Sequence, residues 1–295
     1  MNLALECYPC ILRQAVSAIG LGELDDTLGK RLMDETMTDL LNRSESESPQ
    51  TAIVRMYERI ERLLPGRETP LDLFSTIKKE SNATAMQYFN YLESFVDSAP
   101  SPLEEGVRKA AAGNIIDFGA LAHGNVDIET EIRNIPSLRF SVYDFQPLKE
   151  RLAGTKTLLY IGDNTGEIVF DRVFIRRLKR DFPEIRVVFA TRSRPVLNDA
   201  TVEDAHDVGL DQEAEIISSG CGLPGVVLDK TTAQFQDLFS SADLIIAKGQ
   251  GNYEGLIDVH DDRLFCILRI KCRRVGMDVG APVGALVLRQ KAHSE

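Results

Sequence analysis

Apolar residues recur with a helical period through the first hundred positions of this chain, then give way to short unbroken apolar runs. Leu12, Ala15, Val16 and Ile19 fall at i, i+3, i+4 and i+7, and Gly20 and Gly22 end the pattern. Met33, Met37, Leu40 and Leu41 repeat it. Ile53, Met56, Tyr57, Ile60, Leu63 and Leu64 predict the clearest amphipathic helix, closed by Pro65 and Gly66. Ala85, Phe89, Leu92, Phe95 and Val96 predict another. Residues 1–97 therefore read as an all-helical domain.

Beyond position 98 the pattern changes. Positions 103–112 look helical, and Phe145, Leu148 and Leu152 predict a helix leading into the run Leu158, Leu159, Tyr160, Ile161. Gly162 ends that run, and Val169, Val173 and Phe174 then resume helical spacing: a strand, a tight turn and a helix. Positions 186–190 form the next apolar run, giving a β-α-β unit that closes as a right-handed parallel crossover. Positions 215–218, 244–247, 265–270 and 285–288 predict four more strands. Residues 98–295 thus read as an α/β/α domain, the helices of 98–153 packing on either part.

Forty-five acidic against thirty-four basic residues give a net charge of −11, and no Lys/Arg cluster is interleaved with aromatics, which argues against a nucleic-acid partner. The first residues lack a basic stretch, and Glu6 and Arg13 interrupt the apolar run. Neither a signal peptide nor a membrane span fits, so a cytoplasmic protein with no membrane partner is expected. Five cysteines in a chain of this length and expected compartment are read as thiols or metal ligands, not as a disulfide framework.

The candidate chemistry sits where strands end. Asp163 and Asn164 follow the first α/β strand, at the edge where ligands of open α/β sheets bind. Asn164 with Glu167 three residues later also has the spacing of a helix-capping box. The functional reading is half of a hard-cation site that needs one more carboxylate, and Asp199 is the best candidate, because its loop leaves the strand expected beside the first. Asn198 and Asp199 as caps of a helix from Thr201 are the alternative. Asp163, Asn164 and Asp199 would make a sparse all-oxygen set of the Mg²⁺ or Mn²⁺ kind.

Asn114 and Asp117 lie on one side of a helix starting near Asn114, where plain N-capping competes with a functional role. At the end of a later strand stands KGQGN: Gly249 and Gly251 permit close backbone approach to a ligand, and Lys248 offers a point charge for a phosphate. A glycine turn with a solvated lysine is the competing reading, and the spacing excludes a P-loop. Cys7 and Cys10 form a CxxC that, with Cys272, suggests a second structural metal or a redox site; a pair of small buried residues explains them equally well. If the three thiols meet, they pin the helical domain to the α/β domain. His123, His206, His260 and His293 share no catalytic spacing.

Taken together, CYPC, GNIIDFG, IGDNTGEIVFD, RSRPVLNDAT and KGQGNYE, in this order, resemble the damage-control phosphatases formerly catalogued as domain of unknown function 89. The CxxC resembles the branch found in archaea and some bacteria. The resemblance implies a helical domain on a Rossmann-like α/β/α domain with a mixed, mainly parallel sheet. It implies a divalent metal (Mn²⁺, Co²⁺, Ni²⁺ or Mg²⁺) at Asp163, Asn164 and Asp199, and a phosphate contact from Lys248. Asn114, Asp117 and Asn198 are implied around the substrate, a small phosphorylated metabolite. Glu167, Gly249, Gly251 and Asn252 complete the expected substrate surround.

The chemistry expected of this set is hydrolysis of a phosphomonoester by metal-activated water, with Lys248 and the Gly249–Gly251 amides holding phosphoryl oxygens. Asp163 as a nucleophile is disfavoured, because the second aspartate such enzymes use is Thr165 here. A methyltransferase lacks its GxGxxG turn. A non-catalytic metal- or phosphometabolite-binding module is the remaining rival.

Overall fold

The structure, a computed structural model, describes residues 1–64, 70–113 and 139–291. Among the described residues, six helices come first: α1 (Cys7–Leu21), α2 (Asp26–Leu41), α3 (Pro49–Leu63), α4 (Ser75–Gln87), α5 (Phe89–Ser98) and α6 (Pro102–Gly113). Strands and helices then alternate. They are β1 (Phe140–Tyr143), α7 (Phe145–Leu152), β2 (Thr157–Ile161), α8 (Glu167–Asp181), β3 (Arg186–Thr191), α9 (Val202–Asp207), β4 (Glu215–Ser218) and α10 (Ala233–Ser241), followed by β5 (Leu244–Lys248), α11 (Gly249–Gly255), β6 (Asp261–Arg269), α12 (Arg273–Val279) and β7 (Leu286–Lys291). No described helix is long and apolar enough to cross a membrane.

The seven strands form one sheet in the order β1-β7-β6-β5-β2-β3-β4. Every neighbouring pair is parallel except β6 with β7. Alternation along the buried strands sends Leu158, Tyr160, Phe189, Ile246 and Phe265 to one face, where they pack on α4 to α8. Leu159, Ile161, Ala190, Ile245 and Leu268 pack on the other, against Phe235, Tyr253 and Val275 of α10 to α12. The result is three layers, α/β/α.

Helices α1 to α3 close a smaller core of their own around Ala15, Ala18, Leu32, Met56, Tyr57 and Ile60. The apolar stripes of α1 and α2 are rotated from those the sequence suggests. Ile11, Ala15 and Ala18 are buried in α1 while Val16 is 59% exposed, and Leu32, Thr36 and Leu40 are buried in α2 while Leu41 is 79% exposed. Small alanines and a threonine that bonds back to the Leu32 carbonyl let the helices approach closely, a preference that counting large side chains does not capture. The single helix expected across Ala85 to Val96 is two, broken at Tyr88, and α4 and α5 share the sheet's core.

Because β3 and β4 lie to one side of β2 and β5 to the other, the order of the chain reverses between β2 and β5. Such a switch point leaves a crevice at the carboxyl ends of the strands. Asp163 follows β2 and Gly249 follows β5, so both stand at this crevice.

Candidate active site

Two loops are stitched together to make the site. The Ala200 amide donates to the Asp163 carbonyl (2.8 Å), the Thr165 amide donates to the Asn198 carbonyl (3.0 Å), and Asn164 and Asp199 form an isolated antiparallel bridge. This short pairing sets the residues after β2 against those after β3. Leu197 supports it with a φ of 49°, a left-handed backbone unusual for a branched residue, while its side chain packs on the core of α1 to α3.

The capping alternatives do not hold. The N-cap of α8 is Gly166, with no side-chain cap bond; the Asn82 side chain from α4 accepts from the Gly166 amide at 2.7 Å instead. The Asn164 side chain turns to Asp163, donating to its carboxylate at 2.9 Å. Helix α9 is capped by Thr201 in a capping box with Asp204, which leaves Asp199 without a capping duty.

Asp163 and Asp199 are both buried, at 6% and 4% exposure. Burial, then the charges of Asp199 and Glu167, pushes the Asp163 carboxyl up to about 8 in spite of Lys271 and Arg192. Burial likewise raises the Asp199 carboxyl, even though the Arg192 Nε donates to it at 2.7 Å. Two buried carboxyls thus stand beside one amide side chain, and burial works against the charged form of both. A hard divalent cation would favour the ionised pair, and Asp163, Asn164 and Asp199 are the oxygen donors that would hold it. Among the described residues, no three His, Cys, Asp or Glu side chains gather as a metal shell, so an amide oxygen and non-protein ligands would have to complete this one.

Gly249 explains part of the spacing after β5. Its φ is 76°, and a Cβ there would fall on the Asp163 carboxylate. Gly249→Ala is expected to displace Asp163, to lose divalent-metal affinity and to cost more than about 1 kcal/mol of stability. Metal titration beside urea unfolding checks this, and wild-type values in both would contradict it.

Lys248 is not a solvated lysine. It is fully buried, and its ammonium donates to the Ala110 carbonyl (2.8 Å), to Glu167 (2.7 Å) and to Asp171. Burial opposes its charge, but Asp171 and Glu167 outweigh that and hold its pKa above the ordinary value. All three of its donors are engaged, so direct contact with a phosphate requires an exchange of partners. Asn252 is likewise a strut: its amide donates to the Gly162 and Lys248 carbonyls (3.0 and 2.6 Å) and accepts from the Val226 amide. Gly251 packs against the Pro224 carbonyl, and Asn198 supplies its carbonyl to Thr165. Asn114 and Asp117 lie outside the described residues.

Sequence reasoning missed Arg192 and Asp171. Arg192, 1% exposed, donates to Asp199 and to the Asn252 side chain (3.0 Å) and lies 3.7 Å from Asp163. An arginine directly after the apolar run VVFAT was the available signal. Asp171 follows Glu167 by four residues, and two acids on one buried helix face require a cation opposite them.

Cys7, Cys10 and Cys272 line one cavity of about 230 Å³ between α1, α3 and the carboxyl edge of the sheet. Burial, and more weakly the charges of Glu254, Cys272 and Cys10, raise the Cys7 thiol. Cys272 accepts a long 3.5 Å contact from Gln250.

A mainly parallel sheet between helical layers, with acidic and amide side chains gathered at its switch point, defines a Rossmann-like α/β/α protein. The chain belongs to the damage-control phosphatase ARMT1-like domain family, which matches residues 3–287. It is 35% identical to an uncharacterised protein of Methanocaldococcus jannaschii, over 97% of this chain and 94% of that one. A damage-control phosphatase of Pyrococcus horikoshii is 31% identical over 97% of each chain, and one of Archaeoglobus fulgidus is 29% identical over 98% of this chain and 99% of its own. The crystal structure of a DUF89 family protein from Pyrococcus horikoshii matches with a TM-score of 0.87 at 29% identity, covering 99% of both chains.

Proposed function

We propose that this protein is a metal-dependent phosphatase acting on small phosphate esters, sugar phosphates or damaged phosphometabolites. The observation that carries the reading is the pair of buried carboxyls, Asp163 and Asp199, held beside Asn164 at the switch point. The names of the relatives support the reaction class.

In this reading Asp163, Asn164 and Asp199 hold Mn²⁺, Co²⁺, Ni²⁺ or Mg²⁺. When bound, the cation supplies Lewis acidity toward a phosphoryl oxygen and lowers the pKa of a water. The chain's own residues supply position. Arg192 fixes the Asp199 carboxylate, Gly249 leaves room for Asp163, and Lys248 neutralises Glu167 and Asp171 so that the first turn of α8 can lie against the site. Thr165 is buried with its hydroxyl on the Asn198 carbonyl, which leaves no second carboxylic acid two residues after Asp163 for a nucleophilic route.

A panel of phosphate esters, beginning with an aryl phosphate and assayed with and without each of the four metals, tests the reading. Turnover that requires added metal is expected. Silence across the panel in folded protein would favour a metal- or phosphometabolite-binding module instead.

A further inference from the structure

The cavity of about 230 Å³ between α1, α3 and the carboxyl edge of the sheet lies beside the proposed metal site. Leu197 and Gly251 line it, and they belong to the loops that carry Asp199 and Gly249. The Lys271 charge favours the ionised form of Asp163 and Asp199 and also of Glu254 on the cavity wall, so one charge reaches both places. Ile11, Ile53 and Leu197 give the cavity apolar sides, which suit the carbon skeleton of a short ligand.

The polar groups of the cavity are arranged around Gln50, at the start of α3. Gln50 is 2% exposed, and its side-chain amide donates to the Gly251 carbonyl (3.4 Å) and to the Glu254 carboxylate (3.3 Å). Both partners are acceptors, so they fix which end of the amide carries the nitrogen; the turned-over amide would set oxygen against oxygen. Its Oε1 atom is thereby left buried with no donor among the described residues. Such an acceptor is costly, and a ligand that brings a donor removes the cost. Glu254 is half-buried beside it, and Gln250 donates to its other oxygen at 2.7 Å. The Gln250 oxygen is itself taken by the Lys271 amide at 2.7 Å. What Gln50 and Glu254 offer a ligand is therefore acceptors alone. An ammonium fits them better than a hydroxyl, because it has three donors and no acceptor of its own. Lys271 and Arg274 line the same cavity, so charge alone draws no amine in and the hydrogen bonds make the selection.

We infer that this cavity receives the leaving group of the phosphate ester and that Gln50, with Glu254 beside it, selects a leaving group that bears an amine. The inference rests on the phosphatase reading for its substrate, but binding of uncleavable analogues tests it without turnover. Short ω-aminoalkylphosphonates are the probes, each compared with the alkylphosphonate that carries a methyl group in place of the ammonium. With Mn²⁺ present, the wild type is expected to prefer the amine about tenfold or more at the chain length that reaches Gln50, the scale of a buried acceptor gaining its donor. In Gln50→Leu and Gln50→Met the preference should fall below about threefold. The preference is a ratio within one protein, so a general loosening of the fold cancels from it.

Calorimetric titration of each phosphonate pair into the full-length wild-type protein and the two variants decides the matter. A wild type that shows no amine preference at any chain length, or that binds none of the phosphonates, overturns the inference. So does a preference that persists in both Gln50 variants. An amine preference that depends on Gln50, in a protein that hydrolyses no phosphate ester with any of the four metals, would instead count against the phosphatase reading alone.

Discussion

Asp163→Asn protein is expected to lose Mn²⁺ affinity by about a hundredfold or more and to lose turnover with it, since removing even a supporting partner of a metal ligand costs about 10- to 100-fold. The same variant, stripped of metal, should melt higher than wild type at pH 8. Asp163 titrates near 4 when unfolded and is pushed up to about 8 by burial and by its acidic neighbours in the folded protein. Between those values the folded state keeps a proton that the unfolded state has released, so the metal-free wild type loses stability as pH rises from about 4 to about 8. The amide does not titrate, and the advantage of the variant should grow across that window. Thermal melts in chelator at pH 5, 6.5 and 8, beside metal titrations, check both halves. A variant with wild-type metal affinity, or one that melts lower at pH 8, would contradict the assignment.

Lys248→Ala should be the most destabilising single change in the site. It removes the ammonium that Glu167 and Asp171, at 1% and 0% exposure, share, and breaking a buried pair costs about 3–5 kcal/mol. Adding Glu167→Gln and Asp171→Asn to a Lys248→Met background should restore much of the stability, because no buried charge is then left unpaired. Urea unfolding measures both. Loss below about 1 kcal/mol in Lys248→Ala would mean that the cluster is hydrated and that its charges cost little.

The α/β half was legible because its central strands are buried on both faces and read as continuous apolar runs. β1 was not: Phe140–Tyr143 is four residues long, half-exposed and at the sheet's edge, with no run to detect. Asp163, Asn164 and Asp199 stood out because they follow β2 and β3, and parallel pairing of those strands brings their ends together. Whether they capped helices was undecidable from spacing, since Asn-x-x-Glu suits both roles; Gly166 and Thr201 take the caps. Lys248 was legible as a residue of interest but not as a buried one, because its partners come from α6 and α8, far away in sequence. Gly249 was attributed to ligand approach, whereas the Asp163 carboxylate already occupies the space a Cβ would need. Arg192 stands directly after the apolar run of β3, but what it does depends on which carboxylates the fold sets opposite it.

The proposed phosphatase holds a cation between Asp163, Asn164 and Asp199. Anomalous diffraction from crystals grown with Mn²⁺ tests it most directly. A peak within ligand distance of the two carboxylates and the Asn164 side-chain oxygen is the predicted result. A peak only elsewhere, at the cavity carrying Cys7, Cys10 and Cys272 for instance, with Asp163 and Asp199 bound to no ion, would contradict it.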